Sequence, residues 1–185
     1  MEILRKIYFS LLDVAQTLLL AAAAFVVVYM FLFRPFQVKG DSMYPNFKDS
    51  EYLITNIISM KTGDPKLGDV IVFKAPTEPD KDFIKRVIGV AGDKVKVQNG
   101  NVYLNDKLLD ESAYLKPSVK TYSGSFLRED EEITVPEGYF FVLGDNRSYS
   151  SDSREWGFVP KGNIIGSSFV VYWPTAQAGF IKNPY

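Results

Sequence analysis

The chain has 185 residues, 46% hydrophobic and 15% aromatic, enough for a packed domain and too apolar for a disordered one. Its 21 basic and 22 acidic residues leave a net charge of −1, so no basic excess points to nucleic acid. Cysteine and histidine are both absent, which excludes disulfide frameworks, thiol proteases, histidine-ligated metals and a Ser-His-Asp triad.

The first predicted element is VAQTLLLAAAAFVVVYMFLF, residues 14–33, an uncharged run. Twenty helical residues rise about 30 Å, the thickness of a bilayer core. Arg5 and Lys6 precede the run, as they would in a cleaved leader, but cutting at Ala21–Ala24 would leave VVVYMFLF behind. An uncleaved single-pass anchor is the expectation. Arg34 and Lys39 balance the flanking charge, so orientation rests on the short N-terminal tail being cytoplasmic and the large domain exterior. Phe31, Phe33 and Phe36 sit where interfacial aromatics belong.

Beyond residue 33 the pattern turns to strands: GDVIVF (68–73), DFIKRVIGV (82–90), YFFVL (139–143) and SSFVVYW (167–173). In VKVQNGNVYLN, Asn99-Gly100 between alternating runs predicts a two-residue type I′ hairpin. No ten-residue helical period follows the anchor. The fold class expected is mainly β, an antiparallel catalytic domain with an inserted second β region behind one transmembrane helix. The boundaries read as 1–33 tail and anchor, 34–91 first part of the core, 92–136 insertion and 137–185 second part. The acidic run Glu129–Glu132 in the insertion is a solvated surface.

KGDSMYPNF, residues 39–47, places Ser42 just past the anchor. Without histidine, a reactive serine needs another base. Most lysines lie among polar neighbours, whereas Lys85 sits inside FIKRVIGV. Alternation puts Phe83, Lys85 and Val87 on one face, with Ile84, Arg86 and Ile88 on the other. An apolar pocket disfavours the charged amine and brings it down from about 10.4 toward neutral pH. The bland reading is a lysine that reaches solvent from an edge strand. GDNRSYSSDSREWG, residues 144–157, adds hydroxyls (Ser148, Ser150, Ser151, Ser153) and charges (Asp145, Asp152, Arg147, Arg154). It is no calcium loop, because the twelfth position from Asp145 is Trp156.

GDSMYP, GDVIVF, DFIKRVIGVAGDKV and GDNRSYSSDSREWG, in that order over about residues 34–173, resemble the sequence boxes of type I signal peptidases of the Gram-positive type. These are membrane-anchored serine–lysine endopeptidases with a β core and an inserted β region. The resemblance implies Ser42 as nucleophile and Lys85 as general base. It implies Ser150 as the hydroxyl orienting the lysine, and Asp152, Arg154 and Arg86 as a charged brace. Phe36, Val38, Met43, Val72, Phe83 and Ile84 fall where the family lines apolar pockets for the −1 and −3 side chains of the substrate. Gly40 stands where some members carry a serine that donates to the oxyanion, and Asn46-Phe47 replaces the more usual Thr-Leu.

The implied substrates are exported preproteins cut after an Ala-X-Ala-type site. The implied surroundings are the lipid bilayer and the secretion translocon, with no cofactor, no metal and no nucleic acid. The alternative from another class is a non-catalytic relative, a membrane-anchored chaperone for surface-fibre assembly.

Overall fold

The computed structural model describes residues 1–58, 60 and 63–185, and for residues 30 and 31 the backbone alone, so the Phe31 ring lies outside the described atoms. Helix α1 runs Glu2–Leu32, starting well before the uncharged run. Ile3, Leu4, Ile7, Tyr8, Leu11 and Leu12 extend the apolar surface through the first turns, and all are exposed. Among the described residues it is the one helix long and apolar enough to cross a membrane, and none of its apolar window is buried by the rest of the chain. That is consistent with a single-pass anchor and unlike a core helix.

Phe33, expected to end the anchor, instead opens strand β1 (Phe33–Gln37). Its extended backbone stops the helix while its N–H still donates to the Tyr29 carbonyl. The ring packs 5.6 Å from Tyr29 and 5.5 Å from Phe169, tying helix to sheet.

The remaining strands are β2 (Tyr52–Asn56), β3 (Val70–Lys74), β4 (Asp82–Gly89), β5 (Lys94–Gln98), β6 (Asn101–Leu104), β7 (Lys107–Leu108), β8 (Glu132–Thr134), β9 (Tyr139–Leu143), β10 (Val159–Pro160), β11 (Ile164–Trp173) and β12 (Gly179–Phe180). The large antiparallel sheet has the order β1-β2-β11-β3-β4-β9-β10, with β12 beside β11. The smaller sheet, β7-β6-β5-β8, lies in sequence between β4 and β9. Its hairpin turns on Asn99 (φ 52°) and Gly100 (φ 76°), with Gln98 paired to Asn101, as the Asn-Gly pair predicts. A single-turn helix, α2 (Ser153–Trp156), follows β9.

Three apolar clusters organise these layers. Ile88, Val95, Val97, Val102, Leu127, Val135, Phe141 and Leu143 join the smaller sheet to β4 and β9. Gly89 permits that approach, since a Cβ there would lie 2.9 Å from Val95. Ile71, Phe73, Val87 and Val142 fill the opposite face, with Phe83 packed against them. Val38, Met43, Phe47, Leu53, Val70 and Val171 form the third cluster, and Ile84 packs on it. The expected alternation along β4 is therefore present, with Phe83 and Val87 on one cluster and Ile84 on another.

Candidate active site

The stretch from Val38 to Glu51 folds back as a turn. Val38 N–H donates to the Glu51 carbonyl at 2.7 Å, and Ser50 N–H donates to the Val38 carbonyl at 2.9 Å. Met43 and Phe47 are buried on either side of the turn, and Phe47 N–H donates to the Met43 carbonyl. Gly40 takes a φ of +82°, a backbone only glycine adopts without strain, and its N–H donates to Asp49 Oδ1 at 2.7 Å. Two apolar anchors and a glycine thus hold Ser42 at the edge of the third cluster.

Lys85 projects from β4 to meet it. Its Nζ lies 2.7 Å from Ser42 Oγ and 3.0 Å from the Ile84 carbonyl. The Phe83 ring centroid is 5.2 Å away. Lys85 is 4% exposed. Burial pulls its pKa down from 10.5 to about 8, against the smaller opposing pull of Asp152 and Asp145. Near neutral pH a usable share of the amine is therefore uncharged, able to accept a proton from the hydroxyl it touches.

A third segment, 144–154, closes the site from behind. Asn146 N–H donates to the Ser42 carbonyl and Asn146 Nδ2 to the Asp41 carbonyl, both at 2.9 Å. Asp152 caps α2, accepting from Arg154 N–H, Arg154 Nε at 2.8 Å and Gly144 N–H at 3.1 Å. Arg86 forms a buried bidentate pair with Asp145, 2.9 Å from Nε and 2.7 Å from its terminal nitrogen. Asn46 Nδ2 adds a bond to Asp145 and another to the Tyr114 carbonyl, each 2.8 Å. Arg147 reaches into the inserted region, where Glu111 and Thr121 hold it.

Beside the Ser42–Lys85 contact is a cavity of about 170 Å³ whose apolar lining is Phe36, Val38, Leu53, Val72, Phe83 and Ile84, with Gln37, Lys39, Asp82 and Ser151 as polar lining. Among the described residues no cluster of carboxylates is arranged to hold a metal ion.

A family model described as "Signal peptidase, peptidase S26" matches residues 11–173. Signal peptidase IB of Staphylococcus aureus (strain MRSA252) is 35% identical, over 93% of this chain and 96% of that protein. The chain belongs to the signal peptidases of peptidase family S26. A probable signal peptidase I-2 of Synechocystis is likewise 35% identical, over 93% of this chain and 78% of its own length. A crystal structure of a signal peptidase I from Enterococcus faecalis V583 aligns with a TM-score of 0.47 at 30% identity, covering 57% of this chain and 97% of that one.

Three placements in this signal peptidase differ from the sequence-based expectation. Met43 does not wall the cavity. It is wholly buried, and its sulfur accepts the Asp145 N–H at 3.4 Å. Ser150 is buried, but its Oγ has no hydrogen-bond partner among the described residues and does not bond the lysine amine. It occupies instead the space that a side chain at Gly144 would need. Arg86 braces through Asp145, while Asp152 and Arg154 form a separate pair.

Sequence spacing singles out neither Asp145, Glu111 and Tyr114 as braces nor Leu53 and Ser151 as cavity residues. The partners of the braces are distant in the chain, and only Asp145 and Ser151 lie in a motif that the sequence marks.

Gly144 has no room for a side chain. A Cβ there would come within 2.5 Å of the Ser42 carbonyl oxygen and against Ser150 Oγ. Gly144→Ala is expected to displace Ser42 and lower kcat/KM about 100-fold, the scale of an ångström's misplacement. Steady-state cleavage assays check this, and an unaltered rate would contradict it.

Proposed function

We propose that this signal peptidase is a membrane-bound serine endopeptidase that removes N-terminal signal peptides from exported preproteins after an Ala-X-Ala-type site, with Ser42 as nucleophile and Lys85 as general base. The observation that carries the reading is the 2.7 Å contact between Ser42 Oγ and a buried, solvent-shielded amine. As Oγ attacks the scissile carbonyl, its proton passes to the uncharged Nζ. The Ser42 backbone N–H donates to the oxyanion. The Lys85 ammonium then gives its proton to the leaving amine as the C–N bond breaks. A water, deprotonated by the freed amine, hydrolyses the acyl-enzyme and restores Ser42.

The cavity supports the specificity. In an extended peptide the −1 and −3 side chains point to the same face, and an apolar space of about 170 Å³ suits small ones. Phe36, Val38, Val72, Phe83 and Ile84 are its substrate-facing walls in this reading. Asp152, Arg154 and the Arg86–Asp145 pair fix the backbone around the dyad. Segments 34–91 and 137–185 make the catalytic core around an inserted 92–136.

The anchor supplies position. Ser42 lies nine positions beyond Phe33, at most about 30 Å of extended chain, which holds the nucleophile near the membrane surface where a signal peptide emerges. The N-terminus is cytoplasmic in this reading and the catalytic domain extracytoplasmic, beside the translocon. Tethering enzyme and substrate to one surface raises their effective concentration. The fibre-assembly chaperone alternative has no observation in its favour, since it requires loss of a dyad whose two members are here in contact.

The test is cleavage of a preprotein carrying an Ala-X-Ala site by the detergent-solubilised chain. Cleavage at that site by the unaltered protein and none by Ser42→Ala is expected. Equal cleavage by both would refute the assignment.

A further inference from the structure

An endopeptidase holds polypeptide on both sides of the bond it cuts, and the apolar cavity serves only the acyl side. A separate depression lies next to Ser42, lined by Asp41, Tyr44, Asn146 and Tyr149. It shares no lining residue with the acyl-side cavity. Tyr44 and Asn146 also line a neighbouring groove that includes Lys116 and Lys120.

Its floor is registered to the nucleophile, because Asn146 bonds the carbonyls of both Ser42 and Asp41 at 2.9 Å. Its walls are left uncovered. Tyr44 is 51% exposed and Tyr149 79%. The Tyr149 ring makes no contact with another ring, and its hydroxyl makes no hydrogen bond, among the described residues. Uncovered aromatic rings of this kind offer a flat apolar surface to a ligand.

We propose that this depression is the leaving-side subsite. It receives the first residues of the segment released as amine, their side chains lying between Tyr44 and Tyr149. Asp41 is the one charged residue of the four and favours the ammonium that the new N-terminus becomes when, having left as a neutral amine with the Lys85 proton, it takes a second proton from water. The inference rests on the serine–lysine reading and adds to it a preference for the residues on the amine side of the cut.

Two substrates share one Ala-X-Ala acyl segment. One ends in aminomethylcoumarin at the scissile bond; the other continues for four residues beginning with Phe. The readout is the ratio of kcat/KM, long to short. Tyr149→Ala is expected to lower that ratio about tenfold, on the scale of one aromatic contact, and Tyr149→Phe to keep it. A ratio unchanged in Tyr149→Ala overturns the subsite while both peptides are still cut, leaving the dyad intact. If the unaltered protein cuts neither, the dyad reading falls and the subsite with it.

Discussion

Lys85→Met is expected to lower kcat/KM by at least about 10⁴-fold while leaving the protein folded, because it removes the proposed base and keeps the bulk. The side chain is 4% exposed beside Phe83, so methionine of similar length fills the same space. The unaltered enzyme should show kcat/KM rising with pH to a plateau, with a midpoint near the lysine pKa of about 8. A profile governed near pH 4 would assign the proton transfer to a carboxylate.

The same burial has a stability consequence. The folded-state pKa of Lys85 is about 8, below the ordinary 10.5. Between those values the unfolded chain binds the proton and the folded chain does not, so stability rises with pH across that window. Below pH 8 both states are charged, and the cost of burying the cation, on the order of 3 kcal/mol, is fully present. Lys85→Met is therefore expected to be inactive yet harder to unfold at pH 6–7, with the gain shrinking toward pH 10. Urea titrations at both ends of the range check this; a variant less stable at pH 6 would contradict it.

The second large effect is on the scaffold. Arg86→Met should destabilise the fold by about 3–5 kcal/mol, because it strands a buried carboxylate. Arg86 is 3% exposed and Asp145 1%, and the guanidinium also donates to the Gly68 carbonyl at 2.9 Å and stacks 4.2 Å from the Tyr114 ring. Activity should fall as well, since the neighbouring Asn146 N–H holds the Ser42 carbonyl. Replacing both partners, Arg86→Met with Asp145→Leu, is expected to recover part of the stability, because no unpaired charge then remains. A double variant as unstable as the sum of the singles would show that the pair itself is uncoupled.

The strands that were legible owe it to composition. YFFVL and VIVF are continuous apolar runs because β9 and β3 are covered on both faces. The Asn-Gly turn declared its hairpin through two positive φ angles. β1 passed unread because FRPFQ carries a proline and a charge. Its place at the sheet edge, paired among the described residues with β2 alone, tolerates both. The uncharged run starts only after Asp13, so it does not mark the first turns of the helix, which continues through that residue. At the site, Ser42 and Lys85 stood out as a turn serine and a lysine among apolar neighbours. The pairing within the brace did not, because Arg86 and Asp145 are 59 positions apart and Arg147 and Glu111 are 36 apart. No local pattern records such pairs. The resemblance puts Met43 among the pocket residues, but the turn that presents Ser42 needs that side chain as its anchor in the core.

Proton transfer from Ser42 requires an uncharged amine at Lys85, and the direct measurement is a ¹⁵N NMR titration of its Nζ in the full-length protein in detergent micelles. A midpoint near pH 8 is expected. A midpoint at or above the ordinary lysine value of about 10.4 would leave Ser42 facing a permanent cation and contradict that transfer.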